Sequence, residues 1–236
     1  GGGLAGEPAS ATFAAGVELA NARPEELVIF EGSGTAVPPV HADATVCVVS
    51  ALGASDQELL LGYLGAYPLL LADLVVITLV EQPLADFGAV AALEDRIRGL
   101  VPGVPVVQST FRPRPLGSIS GNSVFFTTTA PAAVTGILAA HLESYGATVV
   151  GQSSSLANRP RLAADLQAAG RADVLVTELK AAAVDLATGF ALERGMRVVY
   201  SDNQVLVTGG DGPLEALFPS VAALATERFR AGPSQS

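Results

Sequence analysis

The chain has 236 residues, half of them hydrophobic, a net charge of −10 and a mean hydropathy of +0.45. That length gives one large or two small domains with a sizeable core, and the acidity argues against a nucleic-acid partner. The apolar runs near 45–50, 73–80 and 173–177 are too short to span a bilayer, and no secretory leader pattern opens the sequence.

In chain order, residues 1–8 (GGGLAGEP) read as a linker or as a glycine loop. Residues 8–21 suit a helix, with Phe13, Val17 and Ala20 on one face, and Arg23-Pro24 ends it. Val28, Ile29 and Phe30 then predict a buried strand over 27–31. Glu31 stands where that strand leaves the sheet, and Gly32-Ser33-Gly34 lets backbone N–H groups approach a ligand. The turn reads either as a carboxylate facing a metal–phosphate or as an ordinary acidic turn.

Strands are expected at 45–50, 73–79 and 105–110, alternating with helices at 56–71 and 85–100. Cys47, the single cysteine, falls in one of these strands. It excludes an intrachain disulfide and a cysteine metal cluster, and reads as a core residue in a reduced cytoplasm. Residues 111–117 read as a stiff basic loop, and a boundary near 117–122 divides the chain into 1–120 and 121–236. The second part predicts strands at 123–128, 147–151, 173–177 and 197–201 with helices at 131–145, 159–169, 180–194 and 213–230. Such alternation specifies an α/β fold, with parallel sheets and helices on both faces. The last six residues read as a tail.

Polar residues gather at the strand ends of the second part. Thr127, Thr128 and Thr129 run into a helix opened by Pro131, a pattern suited to anions. Ser153–Ser155 precede Asn158, Arg159 and Arg161 at another helix start, where arginine is disfavoured unless an anion is near. Glu178, Lys180, Asp202 and Asn203 close the remaining strands, and Lys180 is the only lysine. In a parallel sheet these ends share one edge, so a phosphorylated small molecule is the expected ligand. The alternatives are helix capping for Thr129 and Asn158, and solvated helix starts for Arg159 and Arg161. Arg112 and Arg114 read as a phosphate clamp or as a surface loop. No G-x-x-x-x-G-K-[ST] occurs in these residues, and two histidines support neither a Ser–His–Asp set nor a histidine metal site.

The Glu31-Gly32-Ser33-Gly34 turn resembles the E-G-A-G-G element of dethiobiotin synthetase and related P-loop synthetases. The stretches GGGLAGEP (1–8), FEGSGTAVPPV (30–40), FRPRPL (111–116) and TELKAAAVD (177–185) are closer to the cyclic 2,3-diphosphoglycerate synthetase family. This resemblance implies a P-loop-NTPase-like part followed by a smaller α/β domain. It implies an ATP- and Mg²⁺-dependent ligase that closes 2,3-diphosphoglycerate into a cyclic anhydride. Glu31 then corresponds to the Mg²⁺-facing acid, and Arg112, Arg114, Arg159, Arg161 and Lys180 are the available cations. The family's P-loop lies upstream of the matched stretches, so the chain is expected to be a C-terminal portion or a truncated relative. A phosphometabolite-binding module without catalysis and a dethiobiotin-type carboxylate-activating enzyme are the alternatives. The oligomeric state is open, with a homodimer expected should a helix expose an apolar face.

Overall fold

The computed structural model describes residues 12–32, 41–52, 54 and 63–232. Its strands are β1 (Val46–Ser50), β2 (Leu74–Thr78), β3 (Val106–Pro115), β4 (Ser123–Thr127), β5 (Thr148–Ser153), β6 (Val174–Glu178) and β7 (Arg197–Gly210). The helices are α1 (Thr12–Asn21), the short α2 (Tyr67–Leu70), α3 (Phe87–Leu100), α4 (Thr135–Glu143), α5 (Arg159–Gln167), α6 (Val184–Glu193) and α7 (Leu214–Ala231). The strands form one sheet in the order β1-β2-β3-β7-β6-β4-β5.

Burial on both faces explains why the central strands are continuously apolar. Val75 and Ile77 of β2 pack with Val90, Leu93 and Ile97 of α3. Leu74 and Val76, on the opposite face, pack with Leu214, Leu217 and Val221 of α7. In the second half, Val124, Phe126, Val174 and Val176 meet Leu138 and Leu142 of α4. Phe125 and Leu175 meet Leu162 and Leu166 of α5 and Ala187 and Ala191 of α6. Cys47 is buried in the first of these clusters, as expected for a core thiol.

Local signals set the helix starts. Asp86 caps α3 by accepting from the Gly88 and Ala89 amides at 2.9 and 3.1 Å. Arg98, in the last turn of α3, bridges Glu94 at 2.7 Å and Asp211 at 2.9 Å. Asp211 also accepts from the Val106 amide at 2.8 Å, so one network fixes α3, β3 and the end of β7.

All neighbouring strands are parallel except β3 and β7. Residues 197–201 of β7 run parallel to β6, with Glu178 opposite Ser201. Residues 201–210 run antiparallel to β3, with Pro115 also opposite Ser201. The two half-sheets therefore point their carboxyl ends at each other, and β3 and β6 reach the same residue from opposite directions.

Three expectations are corrected. Residues 27–31 form no strand; Leu27, Val28, Ile29 and Phe30 are exposed, Ile29 by 84%. The apolar run is β-prone, but among the described residues the sheet ends at β1, and a strand needs a hydrogen-bonded neighbour to be buried. Residues 111–115 are not a loop but the second half of β3. Pro113 and Pro115 are tolerated because β2 pairs with Val106–Gln108 and the Val80 amide reaches Ser109, beyond which no strand lies on that side of β3 among the described residues. The Leu116 amide donates to Tyr200 at 2.8 Å, so strand alternation turns the nitrogens of Pro113 and Pro115 toward the open side. The strand expected at 197–201 continues to Gly210, with a register shift between Gln108 and Ser109. The helix expected at 56–71 is described only from residue 63, as a 3₁₀ turn leading into α2.

Candidate functional site: the meeting of two carboxyl edges

The loop after β4 leads to α4 on one face of the sheet, and the loop after β6 leads to α6 on the other. Neighbouring loops that diverge in this way leave a crevice at the strand ends, the usual ligand position in open α/β sheets. Glu178 spans this crevice. Its carboxylate, only 6% exposed, accepts from the Thr128 hydroxyl, from the Thr129 hydroxyl at 2.7 Å and from the Thr129 amide at 3.1 Å. Thr128 in turn accepts from the Ala130 amide at 2.9 Å. Thr128 is buried and Thr129 is exposed, so the seat runs from the interior to the surface. Lys180, two residues past Glu178, is exposed and has no hydrogen-bond or ion-pair partner among the described residues.

The opposing edge carries the second group of charges. Arg112 donates to both oxygens of Glu81 at 2.7 and 2.6 Å, and the Thr110 hydroxyl adds a bond of 2.5 Å. Burial pushes the Glu81 carboxyl up, but the Arg112 and Thr110 hydrogen bonds and the Arg112 charge bring it below the ordinary range. Arg114 pairs with Asp202 at 2.8 Å, one residue past Ser201. His141 of α4 stacks edge-on against Tyr145, with ring centroids 5.5 Å apart. Burial, and then the Arg112 charge, hold its imidazole below the usual value.

The structure thus places Thr128 and Thr129 against the Glu178 carboxylate, with Lys180 two residues past it, while Arg112 and Arg114 lie in the last four residues of β3, engaged by Glu81 and Asp202. Thr127 is fully buried and its hydroxyl donates to the Val176 carbonyl, at 3.5 Å, so it belongs to the core. Asn158 is the α5 cap, accepting from the Arg161 amide at 3.2 Å. Arg159 is engaged by Asp185 at 2.7 and 2.8 Å, and that pairing brings the Asp185 carboxyl down to about 2. Arg161 lies apart, in an open cleft of about 490 Å³ between β5 and α5 that also holds Asp165. Asp165 accepts from Ser153 at 2.6 Å and Ser155 at 2.8 Å, which lowers its carboxyl. The expected single anion edge is therefore divided, with Arg161 on the outer flank of an edge strand. Glu31 and Gly32 are exposed, while Ser33, Gly34 and residues 1–8 lie outside the described residues.

Glu81, Ser201 and the bridging role of Glu178 escaped the sequence reading. For the two acids the available signal was a carboxylate closing an apolar run, in VITLVE (76–81) and VLVTE (174–178). Glu81 holds donors within β3, and Glu178 holds donors just past the end of β4.

Residues 1–110 match the family described as cyclic 2,3-diphosphoglycerate synthetase, P-loop domain, and residues 115–204 match that synthetase's C-terminal domain. A cyclic 2,3-diphosphoglycerate synthetase of Rubrobacter xylanophilus is 45% identical over 98% of this chain and 51% of its own length. Those of Methanothermus fervidus and Methanothermobacter thermautotrophicus are 39% and 42% identical, over 98% and 89% of this chain and 50% and 45% of theirs. The chain spans about half the length of the curated relatives it matches. Two domains of one synthetase, matched in succession on either side of the β3 carboxyl end, agree with the two opposed half-sheets. The chain belongs to the cyclic 2,3-diphosphoglycerate synthetase family.

Proposed function

We propose that the chain takes part in ATP-dependent closure of 2,3-diphosphoglycerate to its cyclic form by intramolecular phosphoanhydride formation, in the cytoplasm. The observation that carries this reading is the convergence of both carboxyl edges on Ser201. A substrate with two phosphates needs anion contacts from two directions, and this arrangement supplies them from two half-sheets. The two domains of the proposal, divided near residue 120, would meet there.

ATP, when bound, supplies the phosphoryl group that activates one substrate phosphate, so that the other can displace inorganic phosphate. The residues of this chain position and neutralise. Lys180 and the Thr129 donors take one phosphate, while Arg112 and Arg114 face the other. Preorganised cations and amides of this kind stabilise charge that develops between two anions being forced together. Among the described residues, no three His, Cys, Asp or Glu side chains converge to hold a metal. These residues do not by themselves form a Mg²⁺ site, and a metal role for Glu31 rests on the family resemblance of its turn. The described helices include none long and apolar enough to cross a membrane.

Calorimetry with 2,3-diphosphoglycerate and with biotin precursors tests the reading. Binding of the diphosphate, lost in Lys180→Ala, is the expected result. Preference for a biotin precursor would overturn it in favour of the dethiobiotin-type alternative.

A further inference from the structure

Glu178 and Ser201 sit opposite each other on adjacent parallel strands. Register partners on parallel strands project their side chains from the same face. Ser201 is 1% exposed, and its hydroxyl has no hydrogen-bond partner although it is buried. Beside it, Glu178 gives its acceptor capacity to Thr128 and Thr129. A buried hydroxyl left idle next to a carboxylate is unusual, because such groups are nearly always satisfied.

We infer that Glu178 is a built-in stand-in anion, occupying the Thr128–Thr129 seat until a phosphoryl group displaces its carboxylate onto the Ser201 hydroxyl. The donors it holds are those that suit a phosphate: one backbone amide and two hydroxyls. The seat opens to solvent at Thr129, and Lys180, two residues along the chain from Glu178, is exposed with its charge uncommitted among the described residues. In the ligand-free arrangement Glu178 satisfies Thr129, and Ser201 lacks a partner. In the occupied arrangement the phosphate satisfies Thr129, and Glu178 satisfies Ser201. The exchange needs a side-chain rotation and no movement of the sheet. A carboxylate left in the seat would repel a second anion, so each bound phosphate must move it.

This inference builds on the proposed function by assigning Thr128, Thr129, Glu178 and Ser201 to one phosphate subsite. Inorganic phosphate, titrated into the 236-residue chain by calorimetry and amide NMR, is the probe. It tests the subsite without requiring that the natural substrate be 2,3-diphosphoglycerate.

Glu178→Gln keeps the side-chain shape but sets an N–H₂ against the donors of the seat, so it no longer competes as an anion. Its phosphate affinity is expected to rise about tenfold, the equivalent of one charge-assisted contact. Ser201→Ala removes the alternative partner and is expected to weaken phosphate by about threefold without lowering thermal stability. The Thr129 amide is expected to shift on titration of the wild-type chain. If Glu178 were only a brace for the turn, Glu178→Gln would bind phosphate equally or more weakly. That result, or an unchanged affinity in Ser201→Ala, overturns the inference. Ser201→Ala remains decisive should Glu178→Gln fail to fold.

Discussion

Arg112 clasps Glu81 through both terminal guanidinium nitrogens, at 2.7 and 2.6 Å, and so ties the loop after β2 to the second half of β3. Both side chains are less than a fifth exposed, so removing either leaves a charge in a poorly solvated place. Glu81→Ala should lower unfolding free energy by about 2–4 kcal/mol, because breaking a partly buried pair strands its partner. Urea unfolding of the chain measures this, and a loss under about 1 kcal/mol would make the pair a surface contact. The folded carboxyl lies below its unfolded value, so the stabilisation is present above about 4.5 and lost as pH falls below it.

His141 gives a second pH signature, in a different window. Its folded value lies below the ordinary 6.5, through burial and the Arg112 charge. The unfolded chain therefore takes up this proton more readily, and the contribution to stability, complete above 6.5, declines as pH falls below it. Replacing His141 by Gln should flatten the stability profile between pH 7.5 and 5.5. Parallel slopes in the variant and the parent would show that the imidazole titrates normally.

Among the described glycines, Gly210 is the one least tolerant of a side chain. Its φ is +100°, and a Cβ there would lie 2.3 Å from the Val106 carbonyl oxygen and 2.7 Å from the Val107 Cα. Those atoms belong to the strand that anchors the antiparallel pair, so they cannot yield without breaking its register. Gly210→Ala should cost about 3 kcal/mol or more, by combined strain and overlap. Thermal unfolding reads the loss directly, and a variant melting with the wild type would contradict this geometry.

The exposed Arg159–Asp185 pair provides the contrasting case. Both side chains are at least half exposed, and solvent screens such contacts. Asp185→Asn should leave the melting temperature unchanged at neutral pH. The wild-type carboxyl should still titrate at about 2, a value readable by NMR; titration near 4 would show the pair to be absent in solution.

Much of the architecture was legible from periodicity alone. LVVIT and VLVTE are buried at every position, as strands covered on both faces must be, and the helices between them follow from their apolar stripes and, for α3 and α5, from capping residues. The antiparallel half of β7 was hidden because Asp202 and Asn203 read locally as the residues that close a strand. The same holds for Arg112–Pro115, where proline signals a loop unless the open side of the strand is known. The run at 27–31 misled for the opposite reason, since apolar β-branched residues show strand propensity but not whether a neighbour exists to pair with. At the site, Thr128, Thr129 and Lys180 were visible as polar residues at strand ends. Their relation to Arg112 and Arg114 was not, because it depends on one long strand joining two oppositely directed half-sheets. Asn158 shows the converse, a residue whose local pattern fits an anion site and a helix cap equally well until the cap is seen.

The shared site at Ser201 is tested most directly by amide and guanidinium NMR of the chain titrated with 2,3-diphosphoglycerate. Simultaneous shifts at Thr129 and Lys180 past β4 and β6 and at Arg112 and Arg114 of β3, with a single midpoint, are expected. Shifts confined to Arg161 and its neighbours in the β5–α5 cleft, or to one edge alone, would contradict a shared site.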